Sequence, residues 1–143
     1  MIFIDSNIWC YYFDKSLPEH QLIREPIRQI LLSSEELASN TIVVMEIAHY
    51  IVLHFSEKDA RKKIEHFVNL RNMKIFGLDT KLMSESLDYL LNYGYSDGLD
   101  GRDATILPAM NTQSIKTLVS HDDAFKRLAE KLTFKIIDPV RTI

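Results

Sequence analysis

The sequence predicts an α/β protein in which a parallel sheet of about four or five short strands is covered by helices on both faces. Three observations carry that expectation. Short apolar runs such as Ile2-Phe3-Ile4 and Thr117-Leu118-Val119 alternate with longer stretches of helical apolar spacing. The 143 residues have room for one domain with a real core, expected to span residues 1–143. A composition of 46% hydrophobic and 26% charged residues excludes wholesale disorder.

Each element follows in order. Ile2-Phe3-Ile4 reads as a buried strand stopped by Asp5-Ser6-Asn7, which caps a first helix crowded with Trp9, Tyr11, Tyr12 and Phe13. Pro18-Glu19 opens a helix to about Ser33, with Leu22, Ile23, Ile27, Ile30 and Leu31 at helical spacing. Glu36 to Asn40 is a short strand, and Thr41 is the expected N-cap of a helix from Ile42 to about Phe55. Ser56 with Asp59 forms a capping-box variant for a helix to about Leu70. Lys74-Ile75-Phe76 is a strand, and the helix from Thr80 is expected to stop near Tyr93-Gly94. A loop from Tyr95 to Gly101 leads into a helix to about Met110, which Pro108 should bend or shorten. Thr117-Leu118-Val119, a helix from Asp122 to about Lys131, and the strand Phe134-Lys135-Ile136-Ile137 complete the chain.

Seventeen Lys and Arg against twenty Asp and Glu give a net charge of −3. That excludes a generally basic nucleic-acid binder, so any nucleic acid must be held by a local patch or a metal. The single Cys10 forms no internal disulfide and no Cys-rich zinc site. No apolar run approaches the roughly 20 residues that span a bilayer, and the apolar N-terminal stretch, interrupted by Asp5 and Asn7 and without a basic n-region, is not expected to be a signal segment. A cytoplasmic protein without a membrane partner is expected.

In an open parallel sheet, ligands sit beyond the carboxyl ends of the strands. Asp5 follows the first strand, and Asp122 with Asp123 follows Leu118-Val119-Ser120. Glu46 lies one turn into an apolar helix, and Asp103 opens the helix that leads into Ala104-Thr105-Ile106-Leu107. Singly, Asp5 and Asp122 are explained as helix caps and Asp103 as a complement to a helix dipole. Glu46 is harder to dismiss, because an acid among apolar neighbours is costly to bury unless paired or metal-bound. As a set, four gathered carboxylates repel by roughly 4 kcal/mol per close pair at an effective dielectric near 20. Protons or cations must neutralise such a cluster. All-oxygen ligation suits Mg²⁺ or Mn²⁺, and the chemistry such ions support is hydrolysis of a phosphodiester.

Ile4-Asp5-Ser6-Asn7, the segment from Thr41 to Glu46, Arg102-Asp103-Ala104-Thr105-Ile106-Leu107 and Val119-Ser120-His121-Asp122-Asp123-Ala124-Phe125 resemble, in order and spacing, the four acidic motifs of PIN domains. Among these the chain is most similar to VapC-type toxins of prokaryotic toxin–antitoxin pairs. The resemblance runs from residue 1 to about 138. It implies a PIN-like three-layer sandwich and a Mg²⁺- or Mn²⁺-dependent endoribonuclease that cleaves RNA by metal-activated water, with no covalent enzyme intermediate. By motif, Asp5, Glu46, Asp103 and Asp122 are the catalytic acids, and Asp5, Asp103 and Asp122 bind the metal. Ser120 takes the place of a hydroxyl residue that orients a carboxylate or water, and Asn7 supports the site. A small antitoxin and a homodimer are the partners the resemblance implies. Pro108 stands where such domains continue a regular helix, and Asp100 and Asp123 remain alternatives to Asp103 and Asp122.

Arg102, His121, Lys126 and Arg127 flank the acids and are weak candidates for RNA phosphates. Arg61-Lys62-Lys63 reads as a solvated helix face, and the aromatics of the first helix as core or partner interface. His49 and His54 diverge on a helix, and Cys10 is a small buried hydrophobe. Two rival readings stand beside the nuclease. One is a catalytically silent PIN-like module that binds RNA or protein. The other is a phospho-acceptor domain using Asp79, against which Asp5 lacks the usual paired acid and Asp138-Pro139 stands where a lysine is expected.

Overall fold

Five short strands are separated by helices throughout: β1 (Ile2–Ile4), α1 (Ser6–Phe13), α2 (Glu19–Leu32), β2 (Leu37–Asn40), α3 (Thr41–His54), α4 (Glu57–Val68), β3 (Met73–Phe76), α5 (Thr80–Asp97), α6 (Gly101–Ala104), α7 (Ile106–Thr112), β4 (Thr117–Val119), α8 (Asp123–Leu132) and β5 (Lys135–Ile137). The structure is a computed structural model and describes residues 1–141. All pairings are parallel, in the order β3-β2-β1-β4-β5. From β1 the chain steps to β2 and β3 on one side, then crosses to β4 and β5 on the other. Right-handed crossovers therefore put α1–α4 on one face of the sheet and α5–α8 on the opposite face. The contacts agree: α1 packs on α2 and α3, α3 on α4, and α5 on α6, α7 and α8. The expected three-layer α/β sandwich is what the chain forms.

The central strands are buried on both sides, as their unbroken apolar runs require. Phe3, Ile4, Leu118 and Val119 are sealed from solvent. On one face Trp9 packs edge-on against Phe67, with ring centroids 4.9 Å apart, and Phe13 joins them. The first-helix aromatics Trp9 and Phe13 are thus core, while Tyr11 and Tyr12 are half-buried. Among the described residues no helix is long and apolar enough to cross a membrane.

Three local expectations are corrected. The cap of α3 is Asn40, whose side chain accepts from Val43 N–H at 2.8 Å; Thr41 instead accepts from Leu78 N–H. α5 runs past Gly94 to Asp97 and stops at Gly98, which adopts the left-handed φ of +73° that favours glycine. Gly94 answers a packing need: a Cβ there would lie 3.3 Å from Leu90 Cδ1 and 3.4 Å from the Leu99 carbonyl. The helix expected up to Met110 is split in two at Thr105, because Pro108 has no N–H to offer the Ala104 carbonyl. A further proline, Pro26, sits inside α2 at an exposed position, where the backbone carbonyl it leaves free costs least.

Candidate active site

The order β3-β2-β1-β4-β5 makes the β1/β4 boundary a topological switch point, with a crevice beyond the carboxyl ends of these strands. Ile4 is in register with Val119, so Asp5 and Ser120 leave the sheet side by side. Asp5 is buried, with Oδ1 capping α1 through Ser6 N–H at 2.7 Å. Its Oδ2 accepts a hydrogen bond from Ser120 Oγ at 2.7 Å. Ser120 Oγ in turn accepts from Asp122 N–H at 3.0 Å, and Asp122 Oδ1 caps α8 through Ala124 N–H at 2.7 Å. The capping explanation of Asp5 and Asp122 therefore holds, and it coexists with their place at the crevice.

Asp103 comes from the opposite layer and is nearly as buried as Asp5. Two contacts seat it. Asp100 Oδ1 accepts from Asp103 N–H at 2.8 Å, capping α6. Asn40, at the end of β2, donates to the Thr105 carbonyl at 3.2 Å and to its hydroxyl at 3.1 Å. Glu46, on α3, is 17% exposed and lies 3.4 Å from Arg102 Nη1.

These acids feel one another. Burial, reinforced by the Asp122 charge and opposed by the Ser120 and Ser6 hydrogen bonds, pushes the Asp5 carboxyl up to about 6. Burial also raises Asp103, to about 9, with help from the Asp5 charge and from a hydrogen bond that its carboxyl donates to Asp122. Glu46 is raised by burial and by Asp5 and Asp100, against the pull of Arg102. Burial and the same negative field, from Glu46 and Asp5, push the Cys10 thiol up to about 12, so it is inert.

The charge of Asp5 thus reaches Glu46 and Asp103, that of Asp122 reaches Asp5 and Asp103, and Asp100 acts on Glu46 and Asp103 as well. Asp100 is exposed and spends an oxygen as a cap. Asp123 is 61% exposed and faces Lys126 and Arg141. Asp79 caps α5 through Leu82 N–H at the exposed end of edge strand β3, remote in role from any paired acids. Arg102 is paired with Glu46, and Arg127 donates to the Asp97 carbonyl at 2.6 Å. His121 and Lys126 both contact Asp138, at 3.0 and 2.5 Å. Burial would raise Asp138, but Lys126, His121 and Val140 N–H hold it below the usual carboxylate range. Asp138 follows β5 directly, so the rule that picks out Asp5 also points to it. Asn40 and Thr105 carried no such signal.

The donor set is all oxygen, the chemistry a hard divalent cation takes. Burial raises Asp5, Glu46 and Asp103, and the Asp122 charge acts on two of them; among the described residues Arg102 is the one cation shown to pair with any of the four, and Asn7, two residues beyond Asp5, leaves a buried Oδ1 without a hydrogen-bond partner. Among the described residues no group of three or more His, Cys, Asp or Glu side chains is placed so as to hold a metal ion as it stands.

Among curated protein sequences none matches the chain. The structure is similar to that of VapC20 from Mycobacterium tuberculosis, described as a Sarcin-Ricin loop cleaving toxin, with TM-score 0.76, 12% identity, and 90% of this chain and 95% of that chain covered. It is also similar to FitAcB from Neisseria gonorrhoeae, with TM-score 0.71, 16% identity and coverage of 99% and 100%. VapBC2 from Rickettsia felis, solved with a DNA fragment from its promoter, matches with TM-score 0.68, 18% identity and coverage of 96% and 98%. The family model of the PIN domain matches residues 2–131, and with the fold in agreement the chain belongs to the PIN domain family.

Proposed function

We propose that this protein is a divalent-metal-dependent endoribonuclease, the toxin of a toxin–antitoxin pair, acting in the cytoplasm. The observation that carries the reading is the meeting of Asp5, Asp103 and Asp122, with Glu46 beside them, in one desolvated crevice where their charges oppose each other. Such an arrangement is uphill unless protons or a cation neutralise it, and a bound cation does so with all the acids ionised. Family membership and the likeness to a loop-cleaving toxin point the same way.

In this reading Asp5, Asp103 and Asp122 hold Mg²⁺ or Mn²⁺, which when bound supplies charge stabilisation at the scissile phosphate and makes water more acidic. Ser120 fixes the Asp5 carboxylate in place and Asn7 supports the rim. Glu46, its basicity raised by burial, takes the proton of the attacking water as the new P–O bond forms and the bond to the leaving nucleotide oxygen breaks. Arg102, 3.4 Å from Glu46, is the flanking cation this reading assigns to the phosphate. A small antitoxin partner belongs to the same proposal, supported by the VapBC and FitAB assemblies among the similar structures, and a homodimer is proposed with it on the family resemblance alone.

The test is cleavage of end-labelled RNA with Mg²⁺, Mn²⁺ or chelator. The expected result is internal cleavage by the wild type that chelation stops and that Asp5→Asn or Asp103→Asn abolishes. Full activity in Asp5→Asn with no response to chelation overturns the reading. A short neighbouring reading frame encoding a DNA-binding protein that co-purifies with this chain supports the toxin assignment.

A further inference from the structure

The crevice is acidic, yet the substrate proposed for it is a polyanion. Cations for the rest of the strand must lie elsewhere, and the fold gathers them at the far end of α1. There a cavity of about 370 Å³ is lined by Lys15, Arg24, Lys62 and Lys63, with Tyr12 and the histidines His20 and His66 completing its wall. An adjoining cavity of about 720 Å³ shares Lys62 and His66 and adds Arg71, with Glu65 as its one acid. These residues come from three separate stretches: the α1–α2 turn, α2, and α4 with the turn after it. In a chain of net charge −3, five cations against one acid on a continuous concave strip is a local inversion of sign.

These cations are also uncommitted. Among the described residues none of Lys15, Arg24, Lys62, Lys63 or Arg71 makes an ion pair, a condition they share with Lys58, Lys81, Lys116, Arg127 and Lys135, while Arg28, Arg61, Lys74, Arg102, Lys126, Lys131 and Arg141 are paired. Lys63 is steadied by the Phe55 ring, with Nζ 4.8 Å from its centroid. The strip is aligned with the crevice through α1. Asp5 caps the first turn of this helix, and Phe13 at its end lines the cavity. Eight residues at about 1.5 Å each put roughly 12 Å between them, within the footprint of a single strand of about four or more nucleotides. Tyr11, packed on His121 with centroids 6.3 Å apart, lies between.

We propose that the strip formed by Lys15, Arg24, Lys62, Lys63 and Arg71 is a second phosphate-gripping surface that holds the RNA backbone several nucleotides from the acidic crevice. It rests on the ribonuclease reading and adds to it where the strand runs. Interleaved aromatic and cationic groups favour a nucleic acid over an acidic peptide, because a peptide offers no bases to stack on Tyr12.

The experiment measures binding of a fluorescent oligoribonucleotide of about 12 nucleotides to the full chain in chelator, as a function of KCl. Wild type is compared with Lys15→Ala/Arg24→Ala/Lys62→Ala, with the milder Lys15→Gln/Lys62→Gln, and with Asp103→Asn. All of these change surface side chains or one crevice acid, and circular dichroism verifies their folding. The expected result is a slope of log affinity against log salt shallower by about 2 in the triple variant, at about 0.7 per charge removed, and affinity at least about tenfold weaker at low salt. The double glutamine variant falls between, while Asp103→Asn binds at least as well as wild type but does not cleave. Cleavage of a dinucleotide, too short to reach the strip, is unchanged in the triple variant. An unchanged slope in the folded triple variant overturns the inference while leaving the nuclease reading standing. Tighter binding of poly-glutamate than of the RNA at equal salt overturns it in favour of a protein partner. Unaltered binding differences with no cleavage by any form would instead overturn the nuclease reading alone.

Discussion

Ser120 Oγ and Asp5 Oδ2 stand 2.7 Å apart, buried, across 115 residues of chain. The hydroxyl donates to one carboxylate and accepts from the backbone N–H that carries another, so a single side chain sets the spacing of Asp5 and Asp122. It is also the strongest force holding the Asp5 carboxyl down against the burial that pushes it up.

Ser120→Ala should therefore destabilise the protein by about 1–3 kcal/mol, the cost of leaving buried partners unsatisfied. Chemical denaturation measures this, and cleavage should fall with it. Ser120→Thr, which keeps the hydroxyl, should recover most of both. An Ala variant as stable and as active as wild type would show that the bond is idle.

Asp103→Asn should separate stability from activity. The Asp103 carboxyl is raised to about 9, so near neutral pH it is a neutral donor to Asp122, a role an amide reproduces. In the metal-free protein the variant should be the more stable form at pH 7, because only the wild type loses stability as pH rises from 3.8 through the folded value of Asp103, and the two should converge toward pH 4. Cleavage should be lost at both pH values.

The metal-free protein should lose stability as pH rises. A carboxyl whose folded-state pKa is raised contributes fully below its unfolded value and loses that contribution as pH climbs through the folded value. For Asp5 the window runs from 3.8 to about 6, corresponding to about 3 kcal/mol, and Asp103 extends the decline to more alkaline pH. Thermal melting in chelator across pH 4 to 9 reads this slope, because acids such as Asp14, lowered by its hydrogen bonds to Ser16 and Tyr50, lose their contribution only below that range. Saturating Mn²⁺ should flatten the decline by favouring the ionised acids.

Gly98→Ala should cost about 1 kcal/mol, since φ is +73° there and only glycine adopts that region freely. Its Cβ would meet Arg127 Nη2 at 3.5 Å, an ordinary contact, so the penalty is one of backbone conformation. Denaturant midpoints of Gly98→Ala and Gly98→Asn test this, with Asn the milder change.

How much of this was written in the primary structure depends on the range of the interaction concerned. Ile2-Phe3-Ile4 and its fellow runs mark strands locally, and Asp5 and Asp122 are legible because a carboxylate after such a run sits at the sheet's reactive edge. Gly94 and Gly98 look alike as stop signals. Only the approach of Leu99 to the first and the backbone turn at the second tell them apart. The seating of Asp103 rests on Asn40 reaching Thr105, 65 residues away, which no local pattern announces. Lys62 and Lys63 read as a solvated face for the same reason: their meeting with Lys15 and Arg24 is tertiary. Arg102 was a candidate for phosphate, and its pairing with Glu46 likewise appears only in three dimensions.

The most direct measurement is calorimetric titration of Mn²⁺ into the metal-free protein at pH 7, repeated in two buffers of unlike ionisation enthalpy. Saturable binding that expels about one proton per chain, chiefly from Asp103, is the predicted outcome, and both binding and proton release should vanish in Asp103→Asn. Absence of saturable binding, or an Asp103→Asn protein that takes up Mn²⁺ as the wild type does, would contradict the claim that these distant acids form one cation pocket.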